Sequence, residues 1–338
     1  MNNRKIIIAG GTGFIGQALA SAWGRGNEVI ILSRYDGNSE SNRFSNQLIR
    51  PSHTPNITYR RWDAMHPEKH WTNELEGADI LLNLAGKSVN CRYNDANKKA
   101  ILSSRINSTK ALGKAVASCI HPPKVWLNAA SATIYRHAMD LPQDEYTGEM
   151  QDDFSVQVCK QWEQCFLDQT VKDTRKIILR MAITLGDGGV MAPFRRLVGW
   201  GLGGRQGNGR QMFSWIHIDD LRRAIEFLSE HDDCSGIFNI AAPRPVTNRF
   251  FMETLRRSMQ AAIGLPAPAL LLTLGAAIIG TEPELLLKSR WVVPSRLVEK
   301  GFIFRYPVLP SAIAQLCQTK ADKPERNACF LNKNGATL

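Results

Sequence analysis

The sequence predicts an α/β protein with a doubly wound parallel sheet and a smaller, mainly C-terminal lobe. Three observations lead to this prediction. Short apolar runs recur through the first half of the chain, segments with helical spacing lie between them, and a glycine-rich turn, GGTGFIG at 10–16, follows the first run. Strands that are apolar throughout and separated by helices are typical of a parallel sheet covered on both faces.

The apolar runs place the strands, and the spacing of apolar residues places the helices. The first strand, at 5–9, leads into the glycine turn and a helix over 17–23. We expect further strands at 28–33, 57–62, 79–84, 125–129 and 176–180. Two later helices are marked by apolar stripes at helical spacing: Leu112, Ala115, Val116 and Cys119, and then Val158, Trp162, Cys165 and Phe166.

We divide the chain into a part that forms the parallel sheet and a smaller lobe. The first comprises 1–185 with 215–242, and the second comprises 186–214 with 243–316. The Ser-, Asn- and Arg-rich segment 35–55 is expected to be a mobile loop, and the polar tail 317–338 is expected to be disordered. The apolar stretch 268–280 is shorter than the roughly 20 residues that span a bilayer, so we interpret it as a buried helix.

Composition and charge argue against a nucleic-acid partner and a metal site, and they indicate a location. The seven cysteines include no CxxC pair and no signal peptide precedes the first strand, so a cytoplasmic location is expected. The net charge of +11 is dispersed rather than gathered in basic blocks, which argues against a nucleic-acid partner. His66 and His70 have ligand-like spacing, but Pro67 between them argues against a metal site.

The glycine turn indicates a dinucleotide. Gly11, Gly13 and Gly16 match the G-x-G-x-x-G fingerprint between a first strand and a first helix. Such a turn places a diphosphate at the N-terminus of the helix. A nucleoside triphosphate loop is excluded, because no Lys-Ser or Lys-Thr pair follows the glycines.

The residues at the end of the second strand indicate which dinucleotide binds. An acidic residue there would bind the free ribose 2′-hydroxyl of NAD(H), whereas this strand ends in Ser33-Arg34. A hydroxyl and a guanidinium suit the 2′-phosphate of NADP(H). Asp36, two residues later, weakens the case, but NADP(H) is favoured over NAD(H).

Small residues after the fourth strand, NLAG at 83–86, allow the chain to pass close to the cofactor. Arg105, on the following helix, either reaches an anionic group or lies in solvent. The expected cofactor-binding residues are Gly10, Thr12, Gly13, Phe14, Ile15, Gly16, Ser33, Arg34, Leu84, Ala85, Gly86, Arg105 and Thr184.

These motifs, with Ser131 and Tyr135 after the fifth strand, resemble the extended short-chain dehydrogenase/reductase superfamily. Strings in the second half, such as GNGRQMFSWIHIDDL at 207–221 and VVPSRLVEKGFIFRYPVL at 292–309, narrow the resemblance. They are similar to the epimerase-like, SulA-annotated family whose C-terminal region, here from about 265, is the DUF1731 domain. The resemblance implies a Rossmann domain that binds NADP(H) and a small substrate lobe.

One departure from the superfamily concerns its catalytic Tyr-x-x-x-Lys pair. If Glu163 is the Glu that follows the Lys by four residues, the Lys position holds Cys159 and the Tyr position holds Ser155. Lys160 is then one residue, about 100°, out of register. The remaining candidates are Ser131, to orient the substrate oxygen, and Tyr135, as a proton donor or only as part of the pocket wall.

A second departure concerns the substrate. Sugar-nucleotide epimerases of the superfamily carry an Arg where this chain has Phe213. Arg205 or Arg210 could take the place of that missing Arg, but only from a different register. Arg136-His137 replaces the usual small residue after the Tyr, as a substrate contact or as a surface change.

The sequence therefore favours an NADP(H)-dependent oxidoreductase acting on an unidentified small carbonyl or hydroxyl compound. A non-catalytic NADP(H)-binding regulatory protein and a nucleotide-sugar epimerase remain alternatives. Trp162 and Phe166 belong either to a homodimer interface or to the core.

Overall fold

The computed structural model describes residues 1–34, 56–268 and 288–321. Three predictions fall wholly or partly outside these residues: the mobile loop at 35–55, the buried helix at 268–280, and the disordered tail beyond 321. Elsewhere the sequence can be compared with the structure element by element.

Seven parallel strands form the central sheet, which confirms the predicted fold class. Their order is β10-β6-β5-β4-β1-β2-β3, and four short strands pair outside this sheet. In chain order the strands are β1 Lys5–Ala9, β2 Glu28–Ser33, β3 Ile57–Arg61, β4 Ile80–Asn83, β5 Val125–Ser131, β6 Arg175–Met181, β7 Ile183–Leu185, β8 Met212–Phe213, β9 Trp215–His217, β10 Gly236–Ile240 and β11 Val246–Thr247.

Helices cover both faces of the sheet, and further helices follow in the later part of the described chain. They are α1 Phe14–Trp23, α2 Lys69–Thr72, α3 Asp95–Ala117, α4 Phe154–Leu167, α5 Met191–Gly199, α6 Ile218–Glu230, α7 Asn248–Ser258, α8 Ser295–Glu299 and α9 Leu309–Ala321. Because α9 continues to Ala321, the first residues of the expected disordered tail are helical. Arg195 anchors this helix by donating to the Leu316 carbonyl at 3.0 Å.

The strand order reverses at β1, which pairs with β2 on one side and with β4 on the other. The chain passes from β1 to β2 and β3 on one side and then crosses to β4 and β5 on the other, so a crevice opens at the carboxyl ends of β1 and β4. The glycine turn lies directly after β1, at the mouth of this crevice.

Apolar side chains on the two faces of the sheet form two separate cores. Ile6 and Ile8 of β1 face one core and Ile7 faces the other, as the alternation along a strand requires. A third core lies between α5, α7 and α9, where Phe194, Phe213 and Phe251 pack ring against ring.

The aromatic residues of α4 belong to the interior. Phe166 is fully buried against Trp126 at a centroid distance of 4.8 Å. Trp162 is 6% exposed and donates from its indole nitrogen to Thr109. Of the two alternatives that the sequence leaves open, the structure therefore assigns both side chains to the core.

Within the three described stretches, none of the helices is long and apolar enough to cross a membrane. The same residues contain no cluster of three or more His, Cys, Asp or Glu side chains that could hold a metal ion. His66 contacts Asp63, and His70 contacts the carbonyl of Arg61.

Candidate functional site: two adjoining cavities

The glycine turn after β1 brings two backbone segments into close contact. Gly10 has a φ of 76°, and a Cβ on it would lie 2.7 Å from the Cα of Ala85. A Cβ on Gly16 would lie 2.5 Å from the Cα of Gly11. These positions accept only glycine, because a side chain would push β1 away from the loop after β4 or away from α1.

Gly13 differs from its neighbours, because open space lies where its side chain would be. A Cβ there would meet only the Gly10 carbonyl oxygen, at 3.8 Å. Gly13 is also the N-cap of α1, with no side-chain cap and no acidic residue in the first turn. The first backbone N–H groups of α1 are therefore available to an anion.

A cavity of about 750 Å³ opens in front of this turn, and we call it the glycine-turn cavity. It runs from the glycines to the end of β2 and along the loop after β4. Its wall includes many of the predicted cofactor-binding residues: Gly10, Thr12, Gly13, Ser33, Arg34, Leu84, Ala85 and Gly86.

Polar residues at both strand ends shape this cavity. Arg34 is exposed at the end of β2, directly after the buried Ser33. After β4, the buried side chain of Asn83 accepts a hydrogen bond from the Ala85 N–H at 3.0 Å and donates to Asn128 at 2.7 Å. These bonds fix the loop at its close approach to the glycine turn.

Arg105 supports this loop from behind. Its guanidinium donates to the carbonyl oxygens of Lys87 and Ile101, at 3.0 and 2.9 Å, and lies over the ring of Trp162. Burial lowers the pKa of Arg105. Arg105 does not line the glycine-turn cavity. It supports the loop after β4, whereas the sequence predicts that it reaches an anionic group or lies in solvent.

The other predicted cofactor residues lie behind the cavity wall. Phe14 packs against the turn after β7, where a Cβ on Gly186 would lie 2.6 Å from its ring. Ile15 is half-buried against the core. Thr184 is buried in β7, and its hydroxyl lies 3.5 Å from the Ala182 carbonyl.

A second cavity, of about 280 Å³, lies at the carboxyl ends of β5 and β6. We call it the strand-end cavity. Its lining includes Ser131 and Thr133, after β5, together with Gln206, the residues 211–214, Asn248, Lys288 and Arg290 from later segments. Val89 lines this cavity while Ser88 and Asn90 line the glycine-turn cavity, so one loop separates the two.

Ser131 is the residue that the sequence predicts to orient the substrate oxygen. It ends β5, lines the strand-end cavity and is only partly buried. Its oxygen accepts a hydrogen bond from the Thr133 N–H at 3.2 Å. That bond fixes the oxygen while leaving the hydroxyl proton available for donation into the cavity.

Tyr135 lies away from both cavities, in contrast to its predicted position as a proton donor or as part of the pocket wall. A short 3₁₀ turn at Ala132–Ile134 directs the ring into the interior, where it is 0% exposed. Its hydroxyl donates to Asn239 at 2.9 Å and accepts from Arg180 at 2.9 Å. Burial raises the pKa of Tyr135, against the opposing effect of Arg180. The side chain lines neither cavity.

Glu163 holds Arg180 in place. Its two carboxylate oxygens accept from the Arg180 guanidinium at 2.8 and 2.7 Å, and both side chains are buried. Burial alone would lower the pKa of Arg180, but Glu163 and Tyr135 raise it. Glu163, Arg180, Tyr135 and Asn239 form a buried polar chain, which we call the Tyr135 network.

The helix that would carry the superfamily's dyad presents no such pair to either cavity. Cys159 packs in a small core with Tyr135, and burial, reinforced by Glu163, raises the pKa of its thiol to about 12. Lys160 and Ser155 line neither cavity. The structure is thus consistent with the register drawn from Glu163.

Several polar residues of the strand-end cavity are missed by the sequence motifs. Gln206, Asn248, Lys288 and Arg290 come from three separate segments. The two arginines considered as replacements for the missing epimerase arginine, Arg205 and Arg210, are exposed and do not line this cavity. Basic side chains enter the wall instead from the region that resembles DUF1731.

Phe213 and the pair after Tyr135 also have defined positions. Phe213 lines the strand-end cavity and stacks on Phe251 at a centroid distance of 4.2 Å. Arg136 pairs with Asp140 and Glu149 away from the cavity. His137 accepts from the Ser289 N–H at 3.1 Å, so it helps to hold the segment that carries Lys288 and Arg290.

The parallel sheet, the glycine turn at its switch point and the cavity before it define a dinucleotide-binding protein of the extended short-chain dehydrogenase/reductase type. Residues 6–162 match the NAD dependent epimerase/dehydratase family, and residues 266–316 match the domain of unknown function DUF1731. Relatives similar along nearly the whole chain then identify the family more closely.

The chain is 32% identical over 319 residues to an epimerase family protein of Staphylococcus epidermidis, SERP0438, covering 93% of this chain and 99% of the relative. It is 30% identical over 319 residues to the epimerase family protein SDR39U1 of Mus musculus, covering 91% and 98%. The chain belongs to this epimerase family with a C-terminal DUF1731 domain, as the resemblance predicts.

A solved structure supports the fold. The crystal structure of human epimerase family protein SDR39U1 (isoform 2) with NADPH superposes with a TM-score of 0.78 at 28% identity. The match covers 93% of this chain and 99% of the human one.

Proposed function

We propose that this protein is an NADP(H)-dependent oxidoreductase that acts on a small carbonyl or hydroxyl compound. The observation that carries the proposal is the adjacency of the two cavities. A dinucleotide that fills the glycine-turn cavity has its reactive end directed toward the carboxyl ends of the central strands, where the strand-end cavity can hold a second molecule. The similar human protein crystallised with NADPH supports the same cofactor here.

The residues present fit this cofactor. Gly13 leaves room for the diphosphate, whose charge the uncapped N-terminus of α1 stabilises. Arg34 binds the 2′-phosphate at the far end of the cavity. When bound, NADP(H) gives or takes the hydride, and the protein positions the other reactant.

Within the strand-end cavity, Ser131 donates a hydrogen bond to the substrate oxygen. Among the described lining residues, the titratable side chains are Lys288 and Arg290. An ammonium releases its proton more readily than a guanidinium or an alcohol. We therefore assign proton transfer to Lys288, which Asp153 holds in place through an ion pair.

One observation favours a second function. The superfamily dyad is absent from α4, and the tyrosine nearest to Ser131 is buried in the Tyr135 network. A protein that binds NADP(H) and responds to its reduction state without turnover would have the same features. A nucleotide-sugar epimerase has less support, because Phe213 contributes an apolar ring to the cavity wall where an arginine would be required.

Consumption of NADPH separates these functions. The protein is incubated with NADPH and a panel of small aldehydes, ketones and oxo acids, and the loss of the reduced nicotinamide's absorbance is followed. An oxidoreductase gives substrate-dependent loss that Ser131→Ala reduces by about 10²–10⁴-fold. Tight NADPH binding with no loss across the panel would favour the regulatory function instead.

A further inference from the structure

The strand-end cavity contains a buried donor whose orientation is fixed. The Gln206 backbone N–H donates to Asn248 Oδ1 at 2.9 Å, which leaves Asn248 Nδ2 as a donor. Asn248 Nδ2 donates to Gln206 Oε1 at 3.1 Å, so the other side-chain atom of Gln206 is its amide nitrogen. A backbone donor at the start of this chain of bonds removes the ambiguity of the amide orientation.

That amide nitrogen has no partner among the described residues. Gln206 is 0% exposed, its Nε2 makes no hydrogen bond, and the residue lines the strand-end cavity. Leaving a buried donor without an acceptor has an energetic cost. An acceptor oxygen on a ligand in this cavity would remove that cost.

The charge of the cavity wall is positive. Lys288 and Arg290 both line it, and the nearby carboxylate of Asp153 pairs with Lys288. None of the described lining residues is acidic. The backbone of Arg290 is fixed beside β8, since its N–H donates to the Met212 carbonyl at 2.8 Å and its carbonyl accepts from Ser214 at 2.7 Å.

The remaining wall is apolar, and the space is small. Met181, Ile183, Phe194 and Phe213 contribute side chains. The volume of about 280 Å³ lies below the roughly 300–1,000 Å³ of pockets for drug-sized ligands. This space suits a small molecule with one anionic end rather than a nucleotide sugar.

We propose that the strand-end cavity binds a small monocarboxylate, of the oxo-acid or hydroxy-acid class, whose carboxylate contacts Arg290 and Gln206. The assignment rests on the proposed function, because it names the substrate class of the same site. A carboxylate supplies a planar pair of acceptors for the guanidinium and the acceptor that Gln206 lacks. Its carbonyl oxygen then lies toward Ser131 and Lys288.

The test measures binding without turnover. Protein saturated with NADPH is titrated calorimetrically with oxamate, an unreactive oxo-acid analogue, and with oxamide, in which a neutral amide replaces the carboxylate. Oxamate is expected to bind at least about tenfold more tightly than oxamide, since one charge-assisted contact contributes about that much. Inorganic phosphate is titrated separately as the other small anion.

Two variants locate the binding. Arg290→Gln removes the charge, and Gln206→Glu keeps the acceptor for Asn248 while replacing the free donor with a negative oxygen. Each is expected to weaken oxamate binding at least about tenfold and to leave the dissociation constant of NADPH unchanged. Arg210→Gln is the matched control, because Arg210 is exposed and lies outside both cavities.

Each outcome has a definite meaning. Equal binding of oxamate and oxamide, or loss of oxamate binding in Arg210→Gln alone, would overturn the proposal. Binding of phosphate but not of oxamate would overturn the carboxylate assignment. NADPH is titrated first, so a failure to bind NADPH counts against the proposed function, whereas NADPH binding without oxamate binding counts against this inference alone. If Gln206→Glu does not fold, Arg290→Gln still decides the question.

Discussion

Gly13 is the glycine of the turn after β1 that has the most open space at its Cβ position. Its neighbours Gly10 and Gly16 are required by contacts within the protein itself, as the close Cβ approaches show. The space at Gly13 is open on the side of the glycine-turn cavity. A side chain there would fill the space that we assign to the diphosphate, without displacing the protein.

We therefore predict that Gly13→Val weakens NADPH binding by at least about a hundredfold while the folded state is retained, because the branched side chain would occupy the diphosphate position. Fluorescence titration of NADPH measures the binding, and thermal unfolding checks the fold. Gly199→Val is the control, since Gly199 is exposed and also has open space at its Cβ position. Unchanged NADPH affinity in a folded Gly13→Val protein would refute the diphosphate position.

Tyr135 makes a different kind of contribution, to stability. Replacing it with Phe leaves Asn239 without its hydrogen-bond donor and removes the hydroxyl acceptor from Arg180. We expect Tyr135→Phe to lower the free energy of unfolding by about 1–3 kcal/mol, with the affinity for NADPH unchanged. Denaturant unfolding gives the first quantity. A stable Tyr135→Phe variant with impaired NADPH turnover would return Tyr135 to the catalytic site.

At the scale of elements, α4 is anchored at both ends by residues from distant segments. Asp153 caps its N-terminus, accepting from the Val156 N–H, and also pairs with Lys288. Glu163, one turn before its C-terminus, holds Arg180 of β6. The helix that would carry the dyad thus connects the sheet with the cavity wall, and its Lys160 lies apart from both cavities.

A matched pair of lysine variants tests this assignment. Lys288→Met is expected to reduce the rate of NADPH consumption by about 10²–10⁴-fold, because the proton donor is lost. Lys160→Met should change the rate less than about twofold. Steady-state rates with the best compound of the carbonyl panel measure both, and NADPH titration confirms that each variant binds cofactor. The opposite ranking would indicate a dyad in a shifted register.

The N-terminus of α6 gives a prediction about pH. His217 caps this helix through Nδ1, which accepts from the Asp219 N–H, and its Nε2 lies 2.9 Å from Gln315 Oε1. Burial lowers the pKa of His217 below the ordinary value of 6.5, against the opposing contributions of Gln315 and the nearby aspartates. Below about pH 6.5 the unfolded chain therefore binds more protons at this position, and the free energy of unfolding falls as the pH decreases.

His217→Asn should make this decline shallower, because Asn also caps helices but does not titrate. Urea unfolding at a series of pH values from about 7 to 5 measures the change in slope. His121→Asn, at an exposed histidine, serves as the control. If the wild-type slope persists in His217→Asn, then His217 does not bind its proton preferentially in the unfolded chain.

At the scale of the whole molecule, the features that the sequence predicts are those encoded locally. The glycine turn and the Ser33-Arg34 strand end each lie within a few residues of an apolar strand, so their place at the sheet edge follows from the pattern. The burial of Tyr135 does not follow from the sequence, because its distance from Ser131 along the chain does not reveal that the 3₁₀ turn directs the ring inward. Its partners, Arg180 and Asn239, lie far away in sequence.

Several polar residues that line the strand-end cavity cannot be predicted from the sequence, for a related reason. Gln206, Asn248 and Arg290 stand in unremarkable local sequence, and only the folded chain brings them together. The segment at 288–292 reaches the cavity because it is hydrogen-bonded to β8 on one side and to His137 and Ala138 on the other. No periodicity or short motif records such contacts between distant segments.

The central claim, that this fold holds NADP(H) in the glycine-turn cavity, is tested most directly by calorimetric titration of NADPH and NADH into the wild-type protein and Arg34→Glu. The wild type is predicted to bind NADPH at least about tenfold more tightly than NADH, because the Arg34 guanidinium meets the 2′-phosphate. Arg34→Glu is predicted to erase or reverse that preference. Equal affinities of the wild type for the two cofactors, or an unchanged preference in Arg34→Glu, would contradict the account.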